Sequence, residues 1–210
     1  MGHRPLLAAD RLPLVGGAVC LDLVNTTGAR DSGRPRERLL TYDALLVWSR
    51  RAGVLDGTET ARLAAAALKR PTAATRALQR ARALREQLYG LFRAIAEGRD
   101  APEPLVRRLG AWWHADRRRR ELICREGTFE LRLSVGRDEL DRMLWPIVSS
   151  AVELLTAERL TRLKRCGICD WLFIDESRNG SRRWCKVACG NRARVRRHYQ
   201  RVRRGRAAGH

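Results

Sequence analysis

The sequence predicts a mainly α protein of the α+β class: a helical N-terminal domain with one small β-hairpin, then a compact C-terminal segment built around cysteines. Three observations carry this reading. Apolar residues make up 44% of the chain but aromatic ones only 6%, a mixture rich in alanine and leucine that favours helices over a β-sandwich. Apolar positions recur at helical spacing through most of the first 160 residues, the signature of core-facing helices. Four of the six cysteines fall between Cys166 and Cys189 as Cys-x2-Cys, fifteen residues, Cys-x3-Cys, close to the spacing of a tetrathiolate zinc site. A chain of 210 residues accommodates one larger domain plus a small appended one. The boundaries read as 1–160 for the helical domain and 161–210 for a zinc finger with four Cys ligands.

The elements follow in order. Asp22 and Asn25 sit among the apolar residues of 12–30, three apart and so on one face if helical. A capping role or a buried hydrogen bond suits them better than ligand binding. Thr41 can cap a helix carrying Leu45, Leu46 and Trp48, with Gly53 at its C-terminal left-handed position. Asp56 or Thr58 starts an alanine-rich helix that ends before Pro71. Thr72 opens a longer one, in which Leu84, Leu88, Leu91, Phe92 and Ile95 form a core stripe. Its Arg76, Arg80, Arg82 and Arg85 lie off that stripe and read as a solvated face. Residues 102–116 form another helix, with Trp112 and Trp113 as buried packing residues. Period-two alternation of Leu131, Leu133 and Val135 gives a hairpin with Glu121–Arg125, one face buried and Cys124 a small core residue. Residues 138–163 are amphipathic, with Pro146 kinking or starting a helix, and lead into Cys166.

In the C-terminal segment, two short cysteine turns joined by a hairpin-length loop can complete a tetrahedron with Zn–S distances of about 2.3 Å. Four protein thiolates leave no position for water. One structural Zn2+ on Cys166, Cys169, Cys185 and Cys189 is therefore expected. So small a segment lacks an apolar core of its own, so metal binding would supply much of its folding free energy. Disulfides fit poorly, because nothing else looks secreted and two-residue spacings make awkward bridges. A redox Cys-x-x-Cys would sit near a strand–helix–strand pattern, which is absent. Trp171–Ile174 reads as a strand, Phe173 and Trp184 as a mini-core, and the chain from Gly190 as a basic helix with Val195, Tyr199 and Val202 packing back.

Basic residues number 43 against 23 acidic, a net charge of +20. Residues 161–210 hold 15 of them against Asp170, Asp175 and Glu176, a net of +12 in a quarter of the chain. Such a concentration attracts a polyanion, nucleic acid above all. Lipid is disfavoured, since the tail lacks a broad apolar face. No transmembrane or export segment is visible, which points to the cytoplasm. His3, His114, His198 and His210 are scattered, and no nucleophile–base pair or Gly-rich phosphate loop appears, so no enzyme is expected.

These residues also carry a resemblance. Cys166-Gly-Ile-Cys169, Leu172-Phe-Ile-Asp-Glu-Ser-Arg-Asn179, Arg182-Arg-Trp-Cys185 and Cys189-Gly-Asn-Arg192 resemble the bacterial CGNR zinc-finger family. Members of that family carry the finger behind an ABATE domain, described as a stress-induced transcription regulator. Residues 12–30, Leu39–Tyr42 and Trp48 resemble the start of that domain. The resemblance implies regulation; charge and metal spacing separately favour nucleic acid, DNA over RNA. Arg178, Arg182 and Arg183 in the loop and Arg192, Arg194, Arg196 and Arg197 on the helix are the candidate contacts. A single finger binds weakly, so a homodimer or a second contact surface is expected, with the helical domain dimerising or sensing a small molecule.

Overall fold

The computed structural model describes residues 9–207. Helix α1 (Val19–Val24) is followed by the two-residue antiparallel strands β1 (Thr27–Gly28) and β2 (Arg36–Glu37). Helices α2 (Tyr42–Arg51), α3 (Gly57–Lys69), α4 (Pro71–Ala96) and α5 (Glu103–Arg117) come next. A hairpin of β3 (Arg120–Arg125) and β4 (Thr128–Leu133) precedes α6 (Leu144–Thr156). After a 3-10 turn (Glu158–Arg162), β5 (Leu163–Arg165) pairs antiparallel with β6 (Leu172–Ile174), and α7 (Val187–Ala207) closes the chain. His3 and His210 lie outside the described residues, as does the side chain of Val202.

The helix boundaries have local causes. Thr41 accepts from the Ala44 N–H at 3.1 Å to open α2, and Gly53 follows with a φ of +70°. Asp56 and Glu59 form a reciprocal capping box at α3, with bonds of 2.7 and 3.0 Å. Pro71, rather than Thr72, is the first residue of α4; its missing N–H costs nothing there. Pro146 lies in the first turn of α6.

Helix α4 is the hub, packing against α1, α2, α3, α5 and β5. Its buried Leu84, Leu88, Leu91 and Phe92 belong to one core with Trp48, Leu21 and Leu23. The same core runs on without a break into Cys166, Leu172, Phe173 and Ile174. The C-terminal cysteine segment is therefore not packed on a mini-core of its own.

Other sequence expectations are corrected. Arg85 is not on a solvated face but 3% exposed. Its guanidinium grips Glu37 with bonds of 2.7 and 2.6 Å and donates to Thr26 and Glu86. Arg82 turns to the Leu39 carbonyl. Trp112 and Trp113 are only half-buried, Trp112 resting 5.5 Å from Trp145. The β3–β4 hairpin buries neither face: Leu122, Phe129 and Leu131 are all more than 60% exposed, and Cys124 is exposed beside them. Cross-strand pairing of Leu122 with Leu131 and of Cys124 with Phe129 gathers these groups on one apolar face. Among the described residues no helix is long and apolar enough to cross a membrane.

A polar seam joins α1 to β6. The Asn25 amide donates to the Leu172 carbonyl at 2.8 Å and accepts from its N–H at 2.9 Å, fully buried. It thereby completes the outer edge of β6 as a strand would. Asp22 accepts from Gly16 N–H at 2.8 Å, and the Gly16 carbonyl accepts from Ile174 N–H at 2.9 Å. A side chain at Gly16 would meet the Leu21 Cβ at 2.7 Å, so the turn needs glycine. Arg165 ties β5 to Asp31, Glu97 and Asp170.

Replacing Asn25 by Ala orphans two buried backbone groups at about 1–3 kcal/mol each. Chemical denaturation of Asn25→Ala should show a loss of about 3 kcal/mol, and an unchanged midpoint would refute the clasp. Burial pushes the Asp22 carboxyl up to about 6 against the bonds from Gly16 and Val15. A raised carboxyl favours the fold below its unfolded pKa, and that advantage fades as pH rises through about 6. Asp22→Asn should accordingly gain stability relative to the parent, by more at pH 8 than at pH 5, in thermal melts.

Candidate metal centre and basic helix

Cys166 follows β5 and Cys169 sits in the tight knuckle before β6. The turn is closed by Asp170 N–H on the Cys166 carbonyl at 3.2 Å and Cys166 N–H on the Trp171 carbonyl at 2.8 Å. Asp170 takes a φ of +63° to close it. Cys185 ends the long loop, and Cys189 rides on the first turn of α7, which begins at Val187 rather than Gly190. The four sulfurs all lie within 4.8 Å of one another. Cys169–Cys185, Cys169–Cys189 and Cys185–Cys189 separations are 3.4, 3.6 and 3.8 Å. A tetrahedron with Zn–S bonds of about 2.3 Å requires sulfurs about 3.8 Å apart, whereas a disulfide needs about 2.05 Å. The donor set is thus that of one zinc ion, closed to water.

Crowding drives the thiols apart in proton affinity. Hydrogen bonds from Cys169 and Cys185 lower Cys166, and the same bonds push Cys169 up to about 12 and raise Cys185. Such a cluster shares protons that a cation displaces on binding. Arg192 donates to the Cys189 sulfur at 3.2 Å, and that bond raises the arginine in turn. Next to it, Trp184 lies against Gly190 and Gly167, where added Cβ atoms would meet its ring at 2.9 and 3.3 Å. The Cys-Gly-Asn-Arg tetrapeptide therefore combines a thiol, the space for an indole, and a guanidinium on that thiol.

The loop between the cysteine pairs is arranged around Asp175, which is fully buried by surface area. Its carboxylate accepts from Lys164 at 2.7 Å, Ser177 Oγ at 2.6 Å and Arg182 N–H at 2.8 Å. Burial alone would raise it, but these bonds hold it well below the ordinary carboxylate range. Lys164 also donates to the Gly180 and Arg182 carbonyls.

The candidate nucleic-acid residues divide into two groups. Arg182 is spent inside the finger, bonding the Cys185 carbonyl at 2.8 Å and covering the Phe173 ring at 5.1 Å. Arg192 is likewise engaged with Cys189. Arg178, Arg183, Arg194, Arg196 and Arg197 stand exposed. Val195 and Tyr199 are 54% and 64% exposed rather than packed back; Ala193 alone is buried in that stretch. From Arg194 to Arg201 every residue of α7 is exposed, so the helix projects as a free rod. Sequence reasoning missed Asp175 and Lys164, although Asp followed two residues later by Ser after an apolar strand is an Asx-turn signal.

A family model described as ABATE, putative stress-induced transcription regulator, matches residues 17–158, and one described as CGNR zinc finger matches residues 162–202. Comparison with curated proteins returns no match.

Zinc competition with a chromophoric chelator should show Arg192→Ala weakened about tenfold, as lost outer-shell partners usually are. Acid should strip the metal, because the thiolates reprotonate. Asp175 acts in the same direction: its lowered carboxyl contributes stability above its unfolded pKa and loses it as pH falls. Retention of zinc by Cys185→Ser would overturn the ligand assignment.

Proposed function

The chain belongs to the ABATE family and carries a CGNR zinc finger, and from that premise we propose a DNA-binding transcription regulator without catalytic activity. The observation that carries it is α7: a helix of 21 residues with no Asp or Glu, exposed from Arg194 to Arg201. It is anchored through Cys189 to the metal centre and to the shared core. Arg194, Arg197 and Arg201 follow one face at i, i+3 and i+7. A helix of this diameter fits the major groove, about 12 Å wide, where arginine reads guanine. In this reading the exposed Arg178 and Arg183 on the neighbouring loop grip phosphates.

Dimerisation belongs to the same reading, with the β3–β4 hairpin as its surface. Strand β4 is an edge strand. Pairing it antiparallel with its own copy about Leu131 sets Glu130 against Arg132 and Phe129 against Leu133. Centring the pair on Glu130 or Arg132 would also match apolar residues but would set like charges together, so the Leu131-centred register is the complementary one.

Selection from random duplex DNA by the zinc-loaded protein, at near-physiological salt, should enrich one motif. The triple variant Arg194→Ala, Arg196→Ala, Arg197→Ala should lose it and flatten the salt dependence by about 0.9 in log–log slope per phosphate contact removed. Equal or stronger retention of a structured RNA pool would transfer the function to RNA. Sedimentation should show a dimer that Leu131→Arg dissociates; a strict monomer both free and on DNA would sink the dimer.

A further inference from the structure

Where the helical part meets the finger, a cavity of about 710 Å³ is lined by Arg11, Arg36, Arg38, Lys186 and Arg192, with no carboxylate in its wall. The cations come from three separate places in the sequence: the N-terminal segment, β2 with the residue after it, and the finger. None of Arg11, Arg36, Arg38 and Lys186 makes a salt bridge among the described residues. The contrast is with neighbouring arginines. Arg165 holds Asp31, Glu97 and Asp170, Arg85 holds Glu37, and Arg30 holds Glu86. The fold neutralises those arginines, whereas Arg11, Arg36 and Arg38 face no carboxylate among the described residues and Lys186 rests on the Trp171 ring at 4.4 Å.

A zinc tetrathiolate carries two negative charges, and Cys169 lies in the cavity wall. That is fewer than the five cations present, and Arg192 already serves Cys189. Trp171 lines the same space, 6% exposed, with an indole N–H that has no acceptor. Leu12, Pro13 and Ile168 add apolar groups to the same wall. The volume is that of a small-molecule site, in the range of about 300–1,000 Å³.

We infer that this cavity binds a nucleotide-sized organic polyphosphate, its phosphates among Arg11, Arg36 and Arg38 and its ring system on Leu12, Pro13 and Ile168. Several guanidinium groups converging without carboxylates suit a multiply charged phosphate better than a monoanion. The site is apart from the exposed rod of α7: of the seven arginines named as nucleic-acid contacts, Arg192 alone is in its wall. Arg183, Arg196 and Arg197 instead border a different groove beside Trp184. The inference stands whether or not the chain binds DNA, since the occupant is a small molecule read by other residues.

The test is calorimetric titration of the zinc-loaded full chain at near-physiological salt with ATP, GTP, inorganic pyrophosphate and adenosine. Arg36→Ala with Arg38→Ala forms the cavity variant, since neither side chain makes a polar bond among the described residues; Arg178→Ala with Arg183→Ala is the control. Saturable binding of a nucleoside triphosphate is expected, weakened about tenfold or more in the cavity variant, as loss of charge-assisted contacts implies. The control variant should bind it as the parent does, and adenosine should not bind. Absence of saturable binding, or equal loss in both variants, would overturn the site. Pyrophosphate binding as tightly as the nucleotides would overturn the organic part. Loss of duplex DNA affinity in the cavity variant to the same degree as nucleotide affinity would reassign the cavity to a nucleic-acid path.

Discussion

Four sulfur atoms held within 4.8 Å of one another are the constraint on which the C-terminal quarter depends. Thiols gathered so closely do not hold themselves together. They share protons or take a cation, and only the cation closes the tetrahedron. Cys166 and Cys169 fix the knuckle between β5 and β6, whereas Cys185 and Cys189 fix the start of α7. The direction in which the basic helix leaves the body is therefore set by metal geometry rather than by packing along its length. That fits its exposure from Arg194 to Arg201.

The metal alone does not orient the finger against the helical part. That comes from the seam, where Asn25 bonds both backbone groups of Leu172 and Gly16 bonds Ile174. Arg165 adds its carboxylate partners from the other side. A side-chain amide in the place of a neighbouring strand is a specific device, because its donor and acceptor match the C=O and N–H of one residue in one register. Beneath it, Phe173 and Ile174 share the core of α4. Metal, amide and apolar contacts thus fix the same few residues of β6.

Much of the site was legible because its chemistry is local. Cysteine spacing constrains a metal site whatever surrounds it, and capping residues such as Thr41 and Asp56 act within four positions. The long stripe of α4 was readable for the same reason. The seam was not, since Asn25 and Leu172 are 147 positions apart and no short-range pattern pairs them. Arg85 looked solvated because its partners, Glu37 and Thr26, come from β2 and from the turn after α1. The hairpin was misread in the opposite sense. Its alternation correctly announced a strand with one apolar face, but periodicity cannot say whether anything covers that face. Asp175 shows a third limit: the residue was visible, yet its burial beside Lys164 follows from pairing β5 with β6.

The unbroken core has a consequence for how this finger can be inherited. A zinc module that closes on its own residues can be cut out, duplicated or strung into arrays, since its surface is complete wherever it lands. Here Leu172, Phe173 and Ile174 are buried by a neighbour, and Leu172 offers both its polar groups to that neighbour's asparagine. Excised, the segment would present an apolar strand with unpaired edges to water. Recombination could move it only together with the helical half that fits it.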